Sequence, residues 1–317
     1  MAKLSGIDAL ILDLAGNGGG LLNQAVELAG YFLPQDCVIT SVEGRVMDTE
    51  LLRAKKGGEF DGRLVVIIDE NSASGSELVA GALQDWDRAV IVGEDSFGKG
   101  LVQQPIEFPD GSAIRLTIAR YYTPSGRCIQ KPYTNGKGDE YELDLLNRYE
   151  HGEFFTQDSI KQDESVAYQT KHGRTVYGGG GIMPDIFIPQ DTTGYTSYYA
   201  AVAKMGLLTR FPFQYTDKNR QQLAQYTTME KLYQHLKGVD LMEEFVAYAT
   251  SKSVKRRNNL ISKSHDLIED ILYGNIIYNM LNMEEYVKYL NLTDQAVLKA
   301  VEVLNDGKSR PGIDDWE

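Results

Sequence analysis

Apolar positions in the first half of the chain fall into short runs, at residues 9–12, 64–68, 89–92 and 113–122. Runs of that length predict strands with little exposed surface. Between them the spacing changes. Residues 24–33 place Ala25, Leu28, Ala29 and Phe32 on one helical face, and residues 76–85 do the same with Val79, Ala82 and Leu83. Strands alternating with helices predict an α/β fold around a mainly parallel sheet covered on its faces. Residues 131–177 lose this periodicity and become polar, rich in Tyr, Gly, Asp and Lys. They predict an irregular insertion with short strands or helices. A short strand is expected at 186–188. From about Thr192 onward the pattern is helical, at 198–205, 242–249, 264–281 and 294–304, with Asp294 a candidate N-cap and 305–317 a frayed tail. The expected division is a core at 1–190, carrying the insertion 131–177, and a helical C-terminal domain at 191–317. The run from Ile7 to Leu14 follows almost directly on the first residue, so the chain is expected to start inside a domain.

The 317 residues carry 32 Lys+Arg against 45 Asp+Glu, a net charge of −13. A nucleic-acid footprint needs a basic face, so this balance argues against one. The run Lys255-Arg256-Arg257 reads as a solvated helix end or loop. Two cysteines, Cys37 and Cys128, make no disulfide framework or CxxC metal site, although a single bridge stays open. The histidines, His151, His172, His235 and His265, lack zinc-site spacing. No apolar run reaches the roughly 18 residues of a membrane span, and no secretory signal precedes Ile7.

Three segments carry candidate chemistry. Asp13-Leu14-Ala15-Gly16-Asn17-Gly18-Gly19-Gly20 lies between an expected strand and helix. It fails the Walker pattern, lacking Lys-Ser/Thr, and fails GxGxxG. A tight turn explains its glycines, and so does an oxyanion hole built from backbone N–H groups. Asn71-Ser72-Ala73-Ser74-Gly75-Ser76-Glu77 also joins a strand to a helix. Ser76 followed by Glu77 would serve as a cap. Three serines spaced by Ala and Gly also fit a nucleophile site at a helix N-terminus. Gly93-Glu94-Asp95-Ser96-Phe97-Gly98-Lys99-Gly100-Leu101-Val102-Gln103 sets Lys99 between two glycines. Lys99 reads either as a surface charge or as an inward, dehydrated amine able to act as a base.

In this order the segments resemble the tail-specific, or C-terminal processing, serine peptidases. That family pattern runs D-L-R-x-N-P/G-G-G, then N-x-x-S-A-S-x-S-E, then G-x-x-x-x-G-K-G-x-V-Q. Further matches are Asp110-Gly111-Ser112, the stretch Ala119-Arg120-Tyr121-Tyr122-Thr123-Pro124-Ser125-Gly126-Arg127, and Gly179-Gly180-Gly181-Ile182-Met183-Pro184-Asp185. The resemblance covers roughly residues 6–190. It implies a ClpP/crotonase-like spiral core followed by an α-helical C-terminal region. It implies a Ser/Lys dyad, with Ser74 as nucleophile, Lys99 as base and Gln103 orienting the lysine. Gly19 and Gly75 would supply the oxyanion N–H groups. No metal or organic cofactor is implied. The partners implied are protein or peptide substrates, and the location is the bacterial cell envelope or periplasm.

Two departures stand out. The family's Arg after Asp-Leu is Ala15 here. The export signal, the PDZ peptide-binding module and the first core strands expected ahead of Asp13 are absent from this sequence. Uncovered sheet edges would then favour association, including a homo-oligomer, or instability. Two other readings are a peptide-binding fragment without catalysis and a crotonase-type acyl-CoA enzyme. The first predicts binding indifferent to Lys99, the second coenzyme A binding.

Overall fold

The computed structural model describes residues 6–133, 143–160 and 165–306. They form two compact units, one of residues 1–190 together with 295–317, the other of residues 191–294.

The first unit is built on two four-stranded sheets. In the first sheet β1 (Ala9–Asp13), β4 (Arg63–Ile68) and β5 (Val90–Gly93) run parallel in the order β1-β4-β5, and β10 (Ile186–Phe187) adds to β5. Leu64, Val66, Ile68 and Ile91 point to one face, where α1 (Leu22–Gly30) and α2 (Gly75–Asp85) bury Ala25, Ala29, Val79 and Leu83 against them. Val65, Ile67, Val90 and Val92 point to the other, because successive strand residues alternate faces. The last helix covers that second face with Ala300, Val303 and Leu304. This helix was expected in the helical domain; it begins at Gln295 and belongs to the compact unit of the sheet. Its amphipathic spacing does not say which apolar surface it covers.

The second sheet corrects the mainly parallel expectation. It is antiparallel, ordered β3-β2-β7-β6, with β2 (Val38–Gly44), β3 (Met47–Arg53), β6 (Leu101–Glu107) and β7 (Ala113–Tyr122). Residues 113–122, read as one more strand of the parallel sheet, pair instead with β6 through the tight turn at Phe108–Ser112 and with β2. A hairpin turn of that length can join only antiparallel neighbours. Ile39, Val42, Ala119 and Tyr121 deliver the inner face of this sheet to the same core as α1 and α2. The insertion contains a helix, α3 (Asp144–Glu150), and a two-stranded ribbon of β8 (Ala167–Gln169) and β9 (Thr175–Tyr177). Expectations for 134–142, 161–164 and the tail 307–317 lie outside the described residues.

The second unit is helical, from α4 (Ser197–Lys204) through α5 (Leu207–Leu223), α6 (Met229–Leu236), α7 (Leu241–Ser251), α8 (Asn258–Lys263) and α9 (His265–Met280) to α10 (Met283–Leu290). Three of its helix starts are capped by side chains: Thr196, Asp240 and Asn282 accept the N–H groups of Tyr199, Glu243 and Glu285. Leu232, Phe245, Ile268, Leu272 and Ile276 form its core. Arg256, from the short basic run, pairs with Glu243. Both cysteines are free thiols. No helix among the described residues is long and apolar enough to cross a membrane.

Candidate active site

The glycine segment and the serine segment follow the adjacent parallel strands β1 and β4, so both turns emerge at the same sheet end. They are stitched together. Asn17 C=O accepts the Ala73 N–H at 3.1 Å, Asp69 Oδ1 accepts the Gly16 N–H at 2.8 Å, and Ser72 Oγ donates to Leu14 C=O at 2.7 Å. The approach is so close that only glycine fits at position 19. A Cβ there would lie 2.5 Å from both Ala73 O and Gly75 N, and the backbone sits at φ +85°.

Ser74 occupies the sharp point of the strand-to-helix turn, at φ 56° and ψ −113°. Such backbone costs on the order of 1–3 kcal/mol and persists only where surroundings hold it. The serine is half-buried, next to Gly75, which opens α2. The first N–H groups of a helix have no acceptor within it, so they face outward with the positive end of the dipole. Ser76, expected to cap this helix, does not. Its hydroxyl bonds Asn17 O at 2.8 Å and Asn17 Oδ1 at 2.9 Å, because the helix starts one residue earlier.

Lys99 arrives from β5 on the third loop, and one carboxylate organises its approach. Glu77, fully buried in the first turn of α2, accepts the N–H of Ser74 and the N–H of Lys99 on Oε2, each at 2.8 Å. Its Oε1 accepts the Gly98 N–H and the Ser96 hydroxyl, each at 2.6 Å. Burial pushes this carboxyl above the ordinary range, and the four donors oppose that shift. Tyr121 completes the arrangement from β7. Its hydroxyl lies 2.8 Å from the Ser74 carbonyl oxygen and 2.7 Å from that of Lys99. The described hydrogen bonds thus bring Ser74 and Lys99 together through their backbones, not through Oγ and Nζ.

The loop before Lys99 is fixed by the insertion. Arg148 on α3 donates to Ser96 C=O at 3.0 Å and to Asp95 C=O at 2.8 Å, and Lys131 stands 3.9 Å over the Phe97 ring. Asp95 is pushed up to about 8 by burial, with Arg148 opposing. Glu94 also reaches about 8, through burial and then the charges of Glu70 and Asp69.

Not every expected contact forms. Gln103 is exposed on β6, and its amide donates to Thr117 Oγ1 at 3.3 Å rather than to the lysine loop. The Gly19 N–H donates to Asn17 Oδ1 at 2.9 Å. Sequence reasoning missed Glu77 and Tyr121 as site residues. Glu77 was read as part of a cap and Tyr121 as part of an apolar strand, and both fell within stretches matching the family pattern without being given a role at the site. Beside the turns lies a cleft of about 200 Å³, with Leu14, Leu21, Ala25, Leu28, Gly75 and Val79 among its lining. No group of three or more His, Cys, Asp or Glu able to hold a metal occurs among the described residues.

Residues 1–136 match the model of peptidase family S41, and residues 198–282 match that of a family of unknown function. The carboxyl-terminal-processing protease of Synechocystis is 43% identical over 126 residues, 40% of this chain and 29% of that protein. The carboxy-terminal processing protease CtpA of Bacillus subtilis is 32% identical over 176 residues, 52% of this chain and 38% of that protein. The chain therefore spans less than two fifths of the length of either relative. Among solved structures, the photosystem II D1 C-terminal processing protease aligns at 26% identity and a TM-score of 0.40, covering 58% of this chain and 35% of that one. Over residues 1–136 the chain is thus similar to peptidase family S41, and over part of their length to carboxyl-terminal processing proteases.

Proposed function

We propose that this protein is a serine-type endopeptidase that hydrolyses peptide bonds near the C-termini of protein substrates, with Ser74 as nucleophile and Lys99 as general base. The observation that carries this reading is the shared hold on the two residues, whose N–H groups meet one Glu77 oxygen and whose carbonyls meet one Tyr121 hydroxyl. Nothing in a tight turn alone calls for a lysine loop to be fastened to a serine turn.

The chemistry follows from the groups present. A serine hydroxyl is a weak nucleophile until a base takes its proton. Lys99 does so as a neutral amine, and Ser74 Oγ adds to the substrate carbonyl. The Gly75 N–H, at the start of α2, faces the oxygen that becomes negative. Gly19 is the second donor once its N–H exchanges Asn17 Oδ1 for substrate. Each such donor is worth about 2.7–4 kcal/mol to the transition state. Lys99 returns the proton to the leaving amine, and water then hydrolyses the acyl-enzyme. Gln103 enters as the residue orienting Lys99 by resemblance, turning from Thr117 to do so. The apolar cleft beside Gly75 accepts a substrate side chain. No cofactor is needed for any step.

The finer fold reading, a ClpP/crotonase-like spiral at 1–190 followed by a helical region, belongs to the same proposal. So does a cell-envelope or periplasmic location, drawn from the bacterial relatives. Incubation with an unfolded protein, with products read by mass spectrometry, tests the activity. Cleavage by the parent chain and none by Ser74→Ala, at unchanged melting temperature, is the expected result. Equal cleavage by both would exclude Ser74. Peptide binding without cleavage, indifferent to Lys99→Ala, would favour the non-catalytic reading.

A further inference from the structure

Tyr121 is 3% exposed, and its ring belongs to the core beneath the serine and lysine loops. Its backbone N–H donates to Gly100 C=O at 3.0 Å, so β7 is already fastened next to Lys99. The hydroxyl then stands between two carbonyl oxygens from different loops, at 2.8 Å from Ser74 and 2.7 Å from Lys99. A phenol has one proton to share between them. Without it, two partial negative charges would face each other in a dry site, where such repulsion is least screened. The Ser74 carbonyl also accepts the Leu78 N–H at 2.9 Å, so the helix alone satisfies that oxygen. The second bond from Tyr121 is therefore not required by backbone accounting.

We propose that Tyr121 is a positioning residue, whose hydroxyl sets the distance between the Ser74 and Lys99 main chains and so the reach of the base to the nucleophile. Glu77 gathers the two N–H groups, and Tyr121 gathers the two carbonyls. With both ends of each residue held, the strained Ser74 backbone has one orientation for Oγ. Burial, the Glu77 charge and Cys128 hold the phenol well above its ordinary range, so it keeps its proton wherever the site works. This inference rests on the Ser/Lys reading of the site.

The test is steady-state kinetics on fluorescein-labelled casein with Tyr121→Phe, Ser74→Ala and Ile39→Val. The last shortens a fully buried core side chain of the same unit and controls for stability. A displacement of reacting groups by a fraction of an ångström to 1 Å costs on the order of 10- to 100-fold in turnover. Tyr121→Phe is expected to lose that much in kcat with KM within about twofold, by the same argument that binding contacts are untouched. Ile39→Val is expected to lower the melting temperature with kcat intact. A Tyr121→Phe kcat equal to the parent, with Ser74→Ala inactive, would overturn this proposal alone. An equal kcat loss in Ile39→Val would overturn it too, reducing the effect to stability. Turnover persisting in Ser74→Ala would overturn the site reading and this proposal with it.

Discussion

Ser74 and Lys99, 25 residues apart, donate their backbone N–H groups to the same oxygen of Glu77, each at 2.8 Å. A carboxylate with four donors aimed at it has no acceptor capacity to spare. Glu77→Gln replaces one oxygen by an amide nitrogen that meets donors instead of acceptors. Each buried donor left unmet costs about 1–3 kcal/mol. Chemical denaturation is expected to show a loss of about 2–6 kcal/mol, the sum of two such donors, together with loss of turnover. Parent-like stability would contradict the four-donor arrangement.

The three serines of the segment have separable roles. Ser72 Oγ ties the two turns through Leu14 C=O, and Ser76 Oγ does so through Asn17. Ser72→Ala and Ser76→Ala should each lower stability by about 1–2 kcal/mol, the range for a lost buried hydrogen bond, and retain measurable turnover. Ser74→Ala should do the reverse. Thermal melts beside activity assays of the three variants check this. A melting temperature lowered only by Ser74→Ala would invert the assignment.

Gly19→Ala is expected to be worse than Gly75→Ala. At 19 the added Cβ meets backbone at 2.5 Å and the φ is positive, whereas at 75 its nearest neighbour is Gly20 N at 3.2 Å. Circular dichroism melts of both variants measure the difference. Equal melting temperatures would mean that the two turns are less closely apposed than described.

A pH dependence follows from Glu94. Its carboxyl is raised from 4.5 to about 8 in the folded chain. Between these values the folded state keeps a proton that the unfolded state has released, so this group's contribution falls as pH rises and levels off above about 8. Glu94→Gln removes that decline. The variant's advantage in melting temperature should therefore grow from pH 5 to pH 8. An advantage that shrinks over that interval would reverse the sign assigned to Glu94.

The candidate turns were legible because small residues interrupt the apolar periodicity, Gly18-Gly19-Gly20 and Ser74-Gly75 where strands turn into helices and Gly98-Lys99-Gly100 between two strands. The parallel strands were legible for the same reason, each being a short run of buried Val, Ile and Leu. The antiparallel sheet was not. β3 is exposed along most of its length and β6 along most of its outer half, so neither offers an apolar run. Residues 113–122 carry a clear strand pattern but no record of their partners. Glu77 and Tyr121 escaped because their roles depend on loops far away in sequence. Short helices or strands were expected in the insertion, but the place of this one was not legible, because Arg148 and Asp144 serve it through polar contacts rather than an apolar face.

The central claim is that Lys99 activates Ser74. Labelling with a fluorophosphonate, which phosphonylates activated serines with loss of fluoride and without needing a peptide substrate, addresses it directly. Tandem mass spectrometry of the parent chain should place the adduct on Ser74 Oγ, and Lys99→Ala should suppress it at unchanged melting temperature. Labelling of Lys99→Ala at the parent's rate, or an adduct on a different serine, would contradict the dyad.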